Sequence, residues 1–563
     1  LKWSPCPKKF VLKWGIPSIF GALCETGLLL DHYMMGGFCS RKREQLVIED
    51  GGCRGVSERF CKIASSKWLG NSFSRPIVDC QPGRGKCPSL MDLCIYKIRE
   101  DIDKYSSFSI LPRDISQQIF NELIHSRCLT DVSLKAFRDC ALQDVFLGEY
   151  PGVKDSWMDF ISSQGSSLLS VDISGSEVTD SGLALLKDCP NLQTFAFNYT
   201  DQLSEHGLKH ISGLLKLKSL NIRCCKCVTD LDLKAISGIT SLKELQAFSS
   251  NITDVGVSYL KGLHNLTMLN LEGCNITNAC LESISALVAL AVLNLNRCDL
   301  NDDGWEKFSG NKNLKVLSLG FNNITDACLV HLKGLTNLES LNLDSCGIGD
   351  EGLANLTGLT LLKTLELSDT EVASNGLRHL SGLTNLENLN LSFTLVNDNS
   401  LKKLSGLTSL KSLNLDARQI TDAGLAALTS LTGLTHLDLF GARISDSGTK
   451  CLQYFKNLQS LEMCGGGLTD AGVKNIKDLA SLTLLNLSQN YNLTDKTLEL
   501  ASGLTALVSL NVSNSCITRE GLQYLKPLKN LRSLSLESCK VTASDIKNLQ
   551  SDALPNLIRF RPE

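Results

Sequence analysis

The stretch LESLNLDSCGIGDEGLANL, residues 338–356, contains the pattern that governs most of the chain. Leu341 and Leu343 alternate with polar residues, which predicts a short strand with both leucines turned to the same side. Leu353 and Leu356 follow at helical spacing, after an acidic residue that can cap a helix. One unit of sequence therefore predicts one strand followed by one helix.

The unit returns about every 24 residues throughout residues 141–563. A single strand and helix cannot enclose a core, so neighbouring units must bury their leucines against one another. We therefore predict an α/β solenoid, a horseshoe of about 16 full repeats with a half-repeat at each end, in which parallel strands line the concave side and helices the convex side. The leucine pairs run from Leu269/Leu271 through Leu341/Leu343, Leu389/Leu391, Leu413/Leu415 and Leu437/Leu439 to Leu534/Leu536.

Cysteine is frequent, with 23 residues, and several share one position in the repeat. Asn, Thr or Ser replaces it in other units, and each of these side chains can bond to loop backbone in the adjacent unit. We predict a ladder of buried free thiols in a reducing compartment. The position holds Cys274, Cys298, Asn322, Cys346, Thr370, Thr394, Ser515 and Cys539.

The sequence pattern contains no arrangement of residues typical of a metal site or of an active site. Cys224-Cys225-Lys226-Cys227 has no second pair of ligands for a zinc site. The chain has eight histidines, none of which recurs beside a cysteine as a base for a nucleophile. We predict no catalytic residue, no bound metal, no cofactor and no enzymatic activity.

The concave side is the predicted binding surface, and protein is the predicted partner class. Side chains between the paired leucines, and those just after them, face away from the core. Asparagine is favoured there by the repeat, so the departures from it are the stronger candidates for recognising a basic or polar protein segment. A net charge of −3 and the lack of a basic stripe argue against nucleic acid. The candidates are Asn342, Glu366, Asn390, Asn414, Asp438, Phe440, Glu462 and Asn486.

The unit Leu-x-x-Leu-x-Leu-x-x-Cys/Asn-x-Ile-Thr-Asp-x-Gly-Leu resembles the cysteine-containing subfamily of leucine-rich repeats over roughly residues 130–563. This subfamily is typical of intracellular F-box/LRR proteins, and the chain also resembles plant proteins of that kind. The resemblance implies a protein-binding module in the cytoplasm or nucleus. The sequence contains no run of about 20 apolar residues, so no transmembrane segment is predicted.

Residues 87–140 are predicted to be helical. Leu90, Cys94 and Ile98 form one helical stripe, and a second segment begins at Leu111 and Pro112. The second segment, with Ile115, Ile119 and Phe120, resembles the opening helix of an F-box, although the rest of an F-box does not follow. Together the two segments resemble a VHL-box, which implies docking to a Skp-type adaptor or to elongin C of a cullin ubiquitin ligase. The alternative is a helical cap that buries these apolar residues against the first repeat.

The head before this region carries a different signal. Residues 1–34 have no periodicity and are interpreted as upstream sequence or as an artefact of the gene model, and residues 35–86 as a disordered head. If translation starts at Met35, Gly36 becomes a site for N-myristoylation and Cys39 for a second acyl chain. The alternative is a chance glycine pair. Two hypotheses follow: a substrate receptor of a ubiquitin ligase, or a membrane-tethered scaffold held at the inner membrane face.

Overall fold

The computed structural model describes residues 89–204, 206–416 and 418–561, so the predictions for residues 1–34 and 35–86 lie outside the described chain. Eighteen three-residue strands of the described residues form one parallel sheet, in which each strand pairs with its neighbours in the sequence and the first and last strands pair on one side only. They are β1 Asp144–Phe146, β2 Ser170–Asp172, β3 Thr194–Ala196, β4 Ser219–Asn221, β5 Glu244–Gln246, β6 Met268–Asn270, β7 Val292–Asn294, β8 Val316–Ser318, β9 Ser340–Asn342, β10 Thr364–Glu366, β11 Asn388–Asn390, β12 Ser412–Asn414, β13 His436–Asp438, β14 Ser460–Glu462, β15 Leu484–Asn486, β16 Ser509–Asn511, β17 Ser533–Ser535 and β18 Arg559–Arg561.

The first leucine of each Leu-x-Leu pair stacks on its equivalents in the neighbouring strands. Leu341 lies in register with Leu317 on one side and Leu365 on the other. The repeat between Leu485 and Leu510 is one residue longer, yet these two leucines are still register partners, so the extra residue is absorbed outside the strands. All five leucines are buried in one continuous hydrophobic core. The predicted α/β solenoid with a parallel sheet is confirmed.

The outer side of the solenoid departs from the prediction of one α-helix in every repeat. Strands lie about 4.8 Å apart whereas α-helices pack about 8–10 Å apart, so narrower 3₁₀ helices relieve crowding outside the sheet. The α-helices are α1 Leu90–Glu100, α2 Arg113–His125, α3 Asp131–Lys135, α4 Asp155–Ser163, α5 Asp180–Leu183, α6 Asp230–Ile236, α7 Asp254–Ser258, α8 Leu281–Ser285, α9 Asp326–Leu332, α10 Asp398–Leu401, α11 Asp422–Ala427, α12 Asp470–Val473, α13 Asp495–Ala501 and α14 Ala543–Asp552. The 3₁₀ helices are Ile102–Lys104, Gly165–Ser167, Ala184–Asp188, Gly207–Ile211, Tyr259–Gly262, Asn278–Cys280, Trp305–Gly310, Gly352–Leu356, Gly376–Leu380, Lys402–Leu404, Gly448–Tyr454 and Arg519–Leu525.

The Thr-Asp-x-Gly part of the repeat forms a ladder of hydrogen bonds between successive outer helices. Asp446 Oδ1 accepts from the backbone N–H of Thr469 at 2.9 Å, and its Oδ2 accepts from the Thr469 hydroxyl at 2.6 Å. Thr469 Oγ1 in turn accepts from Ala471 N and caps α12. Gly472 must lack a side chain, because a Cβ there would lie 2.5 Å from Asp446 Oδ1. The motif therefore encodes the contact between repeats as well as a helix start.

The predicted ladder at the cysteine position is confirmed for the thiol and amide members, whereas the hydroxyl members Thr370 and Thr394 donate to a carbonyl three residues earlier in their own repeat. Cys346 Sγ donates to the carbonyl of Leu319 in the preceding repeat at 3.3 Å, and Asn322 Nδ2 donates to the carbonyl of Leu295 at 2.9 Å. Burial raises the pKa of the Cys346 thiol to about 12. The thiol is thus a structural donor, held in the protonated form that is a poor nucleophile.

A helical cap covers the N-terminal end of the core. Phe120 of α2 packs against Phe137 and Phe160, with ring centroids 5.2 and 5.4 Å apart. Gln117 of α2 closes the open edge of β1, since its Nε2 donates to the carbonyl of Asp144 at 2.7 Å and its Oε1 accepts from the Asp144 N–H at 3.2 Å. These bonds pair backbone groups that a bare edge strand would leave unsatisfied.

Candidate partner-binding surface

The concave face is the side of the sheet that faces away from the leucine core, and its asparagines have a structural role. Asn342 Oδ1 accepts a hydrogen bond from the N–H of Asp344, two residues later, at 2.8 Å. Asn390 and Asn414 make the equivalent bond at 3.0 Å. The bond fixes the backbone where it leaves the strand, as Asn side chains do in turns. Asparagine therefore recurs here for a local reason that requires no partner.

Burial on the concave face is greater than the sequence predicted. Glu462 is only 3% exposed, and Asn342, Asn390 and Asn486 are also buried. These side chains face away from the leucine core, as predicted, but they are not exposed, because equivalent side chains on strands about 4.8 Å apart cover one another. The remaining four candidates are half-buried and keep contact with solvent: Glu366, Asn414, Asp438 and Phe440.

Acidic side chains gather on β13 and β14. Asp438 and Glu462 are register partners on these adjacent strands, and Asn486 Nδ2 donates to Glu462 Oε2 at 2.9 Å. Burial raises the pKa of Asp438 to about 6. Burial, and after it the charge of Asp438, raises the pKa of Glu462 well above its ordinary value. A cation placed against this pair would stabilise the ionised form of both carboxyls.

A second polar group, on β4 to β6, was missed by the sequence reasoning. Asn221, Gln246 and Asn270 occupy equivalent positions on three adjacent strands, and we call them the amide row. All three side chains are buried. Arg223 lies beyond the end of β4 with its guanidinium carbon 5.6 Å from the ring centre of Phe248. The available signals were Gln in place of Asn at 246 and an arginine just after a strand.

The adaptor-docking candidates on the two N-terminal helices differ in how exposed their side chains are. Leu90, at the start of α1, is 77% exposed, and Cys94 one turn later is also exposed. Ile119 and Phe120 of α2 are buried in the cap, so their side chains are not available to a partner in this conformation. Of the other candidates, Pro112 is exposed, and Ile98, Leu111 and Ile115 are half-buried.

Sequence families match the regions that carry the clearest repeats. Residues 301–563 match the family described as leucine-rich repeat region, and residues 214–237 match the family described as leucine rich repeat. The chain therefore has the leucine-rich-repeat fold. No curated protein is similar to it in sequence.

Solved structures similar to this chain include three bacterial proteins. An internalin from Listeria monocytogenes is 26% identical, with a TM-score of 0.44, over 54% of this chain and 82% of its own. A leucine-rich-repeat protein from Leptospira interrogans is 20% identical, with a TM-score of 0.45, over 78% of this chain and 97% of its own. The functional domain of a second Listeria monocytogenes protein, which includes a cysteine ladder, is 21% identical, with a TM-score of 0.44. The match covers 67% of this chain and 74% of that domain's chain.

The described residues contain neither a candidate metal site nor a candidate membrane-spanning helix. Within residues 89–204, 206–416 and 418–561, no group of three or more His, Cys, Asp or Glu side chains is placed to hold a metal ion. No helix in this part of the chain has the length and apolar character needed to cross a membrane. The acylation candidates Gly36 and Cys39 lie outside the described residues.

Proposed function

We propose that this protein is a non-catalytic receptor that holds a protein on its concave face while its N-terminal cap docks an adaptor of a cullin-type ubiquitin ligase. The observation that carries the proposal is that α1 has one apolar side chain buried in the cap and others exposed to solvent. Ile95 is buried in the cap, whereas Leu90, Leu93 and Cys94 are exposed on the same helix. An apolar helical stripe of this kind is what a groove on an adaptor receives.

The burial pattern favours elongin C over a Skp-type adaptor. The segment that resembles an F-box helix has Ile119 and Phe120 in the core, where they serve the cap. The segment that resembles the elongin-binding part of a VHL-box leaves Leu90 and Cys94 exposed. Docking through α1 therefore requires no unfolding of the cap, while docking through Phe120 would expose its core.

Binding of the purified full chain to purified elongin B–C and to a purified Skp-type adaptor tests this proposal by calorimetry. We expect Leu90→Asp combined with Cys94→Asp to abolish elongin binding. Ile110→Asp is the matched control, because Ile110 is exposed and apolar in the same cap but lies outside α1. The proposal fails if neither adaptor binds, or if the control weakens binding as much as the α1 variant.

The concave partner is expected to be a basic or polar protein segment at β13 and β14, where Asp438 and Phe440 are half-buried. Quantitative affinity purification should show proteins that the wild-type chain retains and that Asp438→Lys with Phe440→Ser loses. Glu306→Lys, on the outer 3₁₀ helix Trp305–Gly310, is the control for a charge change away from the face. Equal recovery with all three chains would contradict the assignment of this surface.

The compartment follows from the thiols. Cysteines of the described residues are free, including the ladder members Cys274, Cys298 and Cys346. Free buried thiols suit a reducing compartment, so we propose the cytoplasm or nucleus as the site of action. Acylation at Gly36 and Cys39, which would tether the chain to the inner membrane face, stays a prediction. Mass spectrometry of the mature N-terminus would contradict it by finding an unmodified chain that begins upstream of Met35.

A further inference from the structure

The amide row contains buried polar atoms without hydrogen-bond partners. Asn221 Oδ1, Gln246 Oε1 and Asn270 Nδ2 are unpaired, and they belong to side chains that are 4%, 2% and 2% exposed. Buried amide groups in folded proteins are normally paired, so three unpaired ones at equivalent positions on adjacent strands call for an explanation. The row offers two acceptors and one donor on the concave face.

The unpaired oxygens of Asn221 and Gln246 arise because these two repeats break the rule of the array, whereas Asn270 keeps the ordinary bond through its Oδ1 and has only its Nδ2 unpaired. In the other repeats that carry Asn at this position, the Asn accepts from the N–H two residues later, as Asn342 does from Asp344. In β4 the corresponding N–H, that of Arg223, donates instead to Asn198 Oδ1 in the preceding repeat at 2.9 Å. Asn221 Oδ1 is thereby left over. Gln246 carries one more methylene than Asn, and its Nε2 has only the Met268 sulfur, at 3.7 Å.

Arginine and aromatic side chains flank the amide row. Arg223 lies over Phe248, and its buried Nε has no hydrogen-bond partner. Arg297, after β7, lies over Phe321 with 4.7 Å from the guanidinium carbon to the ring centre. Three strand spacings of about 4.8 Å separate β4 from β7, so the two arginines are about 14 Å apart. Four residues of extended chain, at about 3.3 Å each, cover that distance.

We propose that the concave face from β4 to β8 binds an extended protein segment with acidic side chains, whose backbone pairs with the amide row and whose carboxylate pairs with Arg223. The inference rests on the proposed function, since it takes the concave face to be the protein-binding surface. It adds a second binding site, which prefers acidic segments, to the one at β13 and β14, which prefers basic segments. Backbone supplies both N–H donors and C=O acceptors, which the mixed row requires. A second carboxylate about four residues away would reach Arg297.

Charge complementarity favours this occupant over a nucleic acid. Glu272 lies on the same face, with Oε1 3.8 Å from Arg297 Nε, and Glu244 accepts a hydrogen bond from Ser219 at 2.9 Å. A backbone with a phosphate at every nucleotide would meet these carboxylates, whereas a peptide can place single carboxylates at the arginines and neutral residues between them. The bound segment is expected to displace the Met268 side chain, which is unbranched and flexible.

Selection from a phage-displayed library of random 12-residue peptides on the full chain tests the inference. We expect one set of selected peptides to contain acidic residues, with a preference for two that are four positions apart, distinct from any basic peptides that bind at β13 and β14. Synthetic versions of these peptides should bind the Arg223→Gln variant at least about tenfold more weakly than they bind the wild type. This is the loss expected for a hydrogen bond between charged groups. Arg378→Gln, on the outer 3₁₀ helix Gly376–Leu380, should bind them like the wild type.

Gln246→Leu separates loss of binding from loss of folding. Replacement of a buried, unpaired amide by an apolar side chain should leave thermal stability equal or higher, while peptide affinity falls severalfold. The inference is overturned if no peptide is enriched, if none of the enriched peptides contains acidic residues, if the acidic peptides bind Arg223→Gln like the wild type, or if a 12-nucleotide poly-dT competes with them at equal concentration. Each of these results leaves the adaptor-docking test of the proposed function untouched, so the two can fail separately.

Discussion

Gly472→Ala should destabilise the solenoid far more than an ordinary Gly→Ala change. The new Cβ would lie 2.5 Å from Asp446 Oδ1 and 3.1 Å from Leu468 Cδ2. Relief of the closer contact requires the carboxylate to move by about 1 Å, toward an ordinary van der Waals separation. Such a shift breaks or lengthens the bonds of 2.9 and 2.6 Å that Asp446 accepts from Thr469.

The magnitude follows from those two bonds. A hydrogen bond to a charged group contributes about 1.5–3 kcal/mol, so the pair accounts for about 3–6 kcal/mol. Alanine recovers up to about 1 kcal/mol through its higher helix propensity, because position 472 lies in α12. We therefore expect a net loss of about 2–5 kcal/mol. Gly503→Ala is the matched control: a Cβ there meets nothing within 4 Å, and the change should lie within about 1 kcal/mol of zero.

Urea unfolding combined with hydrogen exchange at the Thr469 amide gives the measurement. Exchange is needed because a repeat array opens locally, and the whole-chain transition can hide a defect at one interface. The double variant Asp446→Ala with Gly472→Ala sharpens the result. Once the carboxylate is gone the only tight contact left for the new Cβ is the Leu468 methyl at 3.1 Å, which a small shift of that flexible side chain relieves, so the second change should cost little and the two effects should not add. Additive effects, or equal stability of Gly472→Ala and Gly503→Ala, would refute the reasoning.

Three further changes probe other parts of the chain. Burial raises the pKa of Asp344 to about 6 from an ordinary 3.8, so the folded state loses stability as pH rises from about 4 to 6; Asp344→Asn should match the wild type at pH 4 and exceed it by about 3 kcal/mol at pH 7 in urea titrations. Iodoacetamide followed by mass spectrometry should label the exposed Cys516 well before the buried Cys346, and equal labelling would contradict the ladder. Phe120→Ala should cost about 3–5 kcal/mol and speed hydrogen exchange in the cap first, whereas uniform exchange along the array would show that the cap is not a separate layer.

The architecture was predictable because one physical requirement repeats. A strand with two inward leucines cannot be satisfied alone, and a fixed period forces Leu341 to meet Leu317 and Leu365. The ladder at Cys346 was predictable for the same reason, since the thiol of Cys346 and the amide of Asn322 stand at one position of the repeat and both donate to the preceding unit. Period and side-chain chemistry together therefore fixed the fold, the register and one ladder.

Burial at the candidate sites was less predictable because it depends on neighbours far along the sequence. The alternation of strand residues indicates that Glu462 faces away from the leucine core, but the close spacing of Asp438 and Asn486 on either side leaves it 3% exposed. In α2 the apolar stripe fits both a docking helix and a cap. Only the packing of Phe137 and Phe160 around Phe120 distinguishes them.

Departures from the ladders locate binding better than the ladders themselves. A residue that recurs because it holds the backbone, such as Asn342, gives little information about a partner, since every copy would be retained without one. A residue that breaks the local bond and leaves a buried atom unpaired, such as Gln246, costs the free protein stability that a bound segment can return. In an array of nearly identical units, the amide row and Arg223 are therefore more informative candidates than the more numerous asparagines, even though the sequence makes the asparagines more conspicuous.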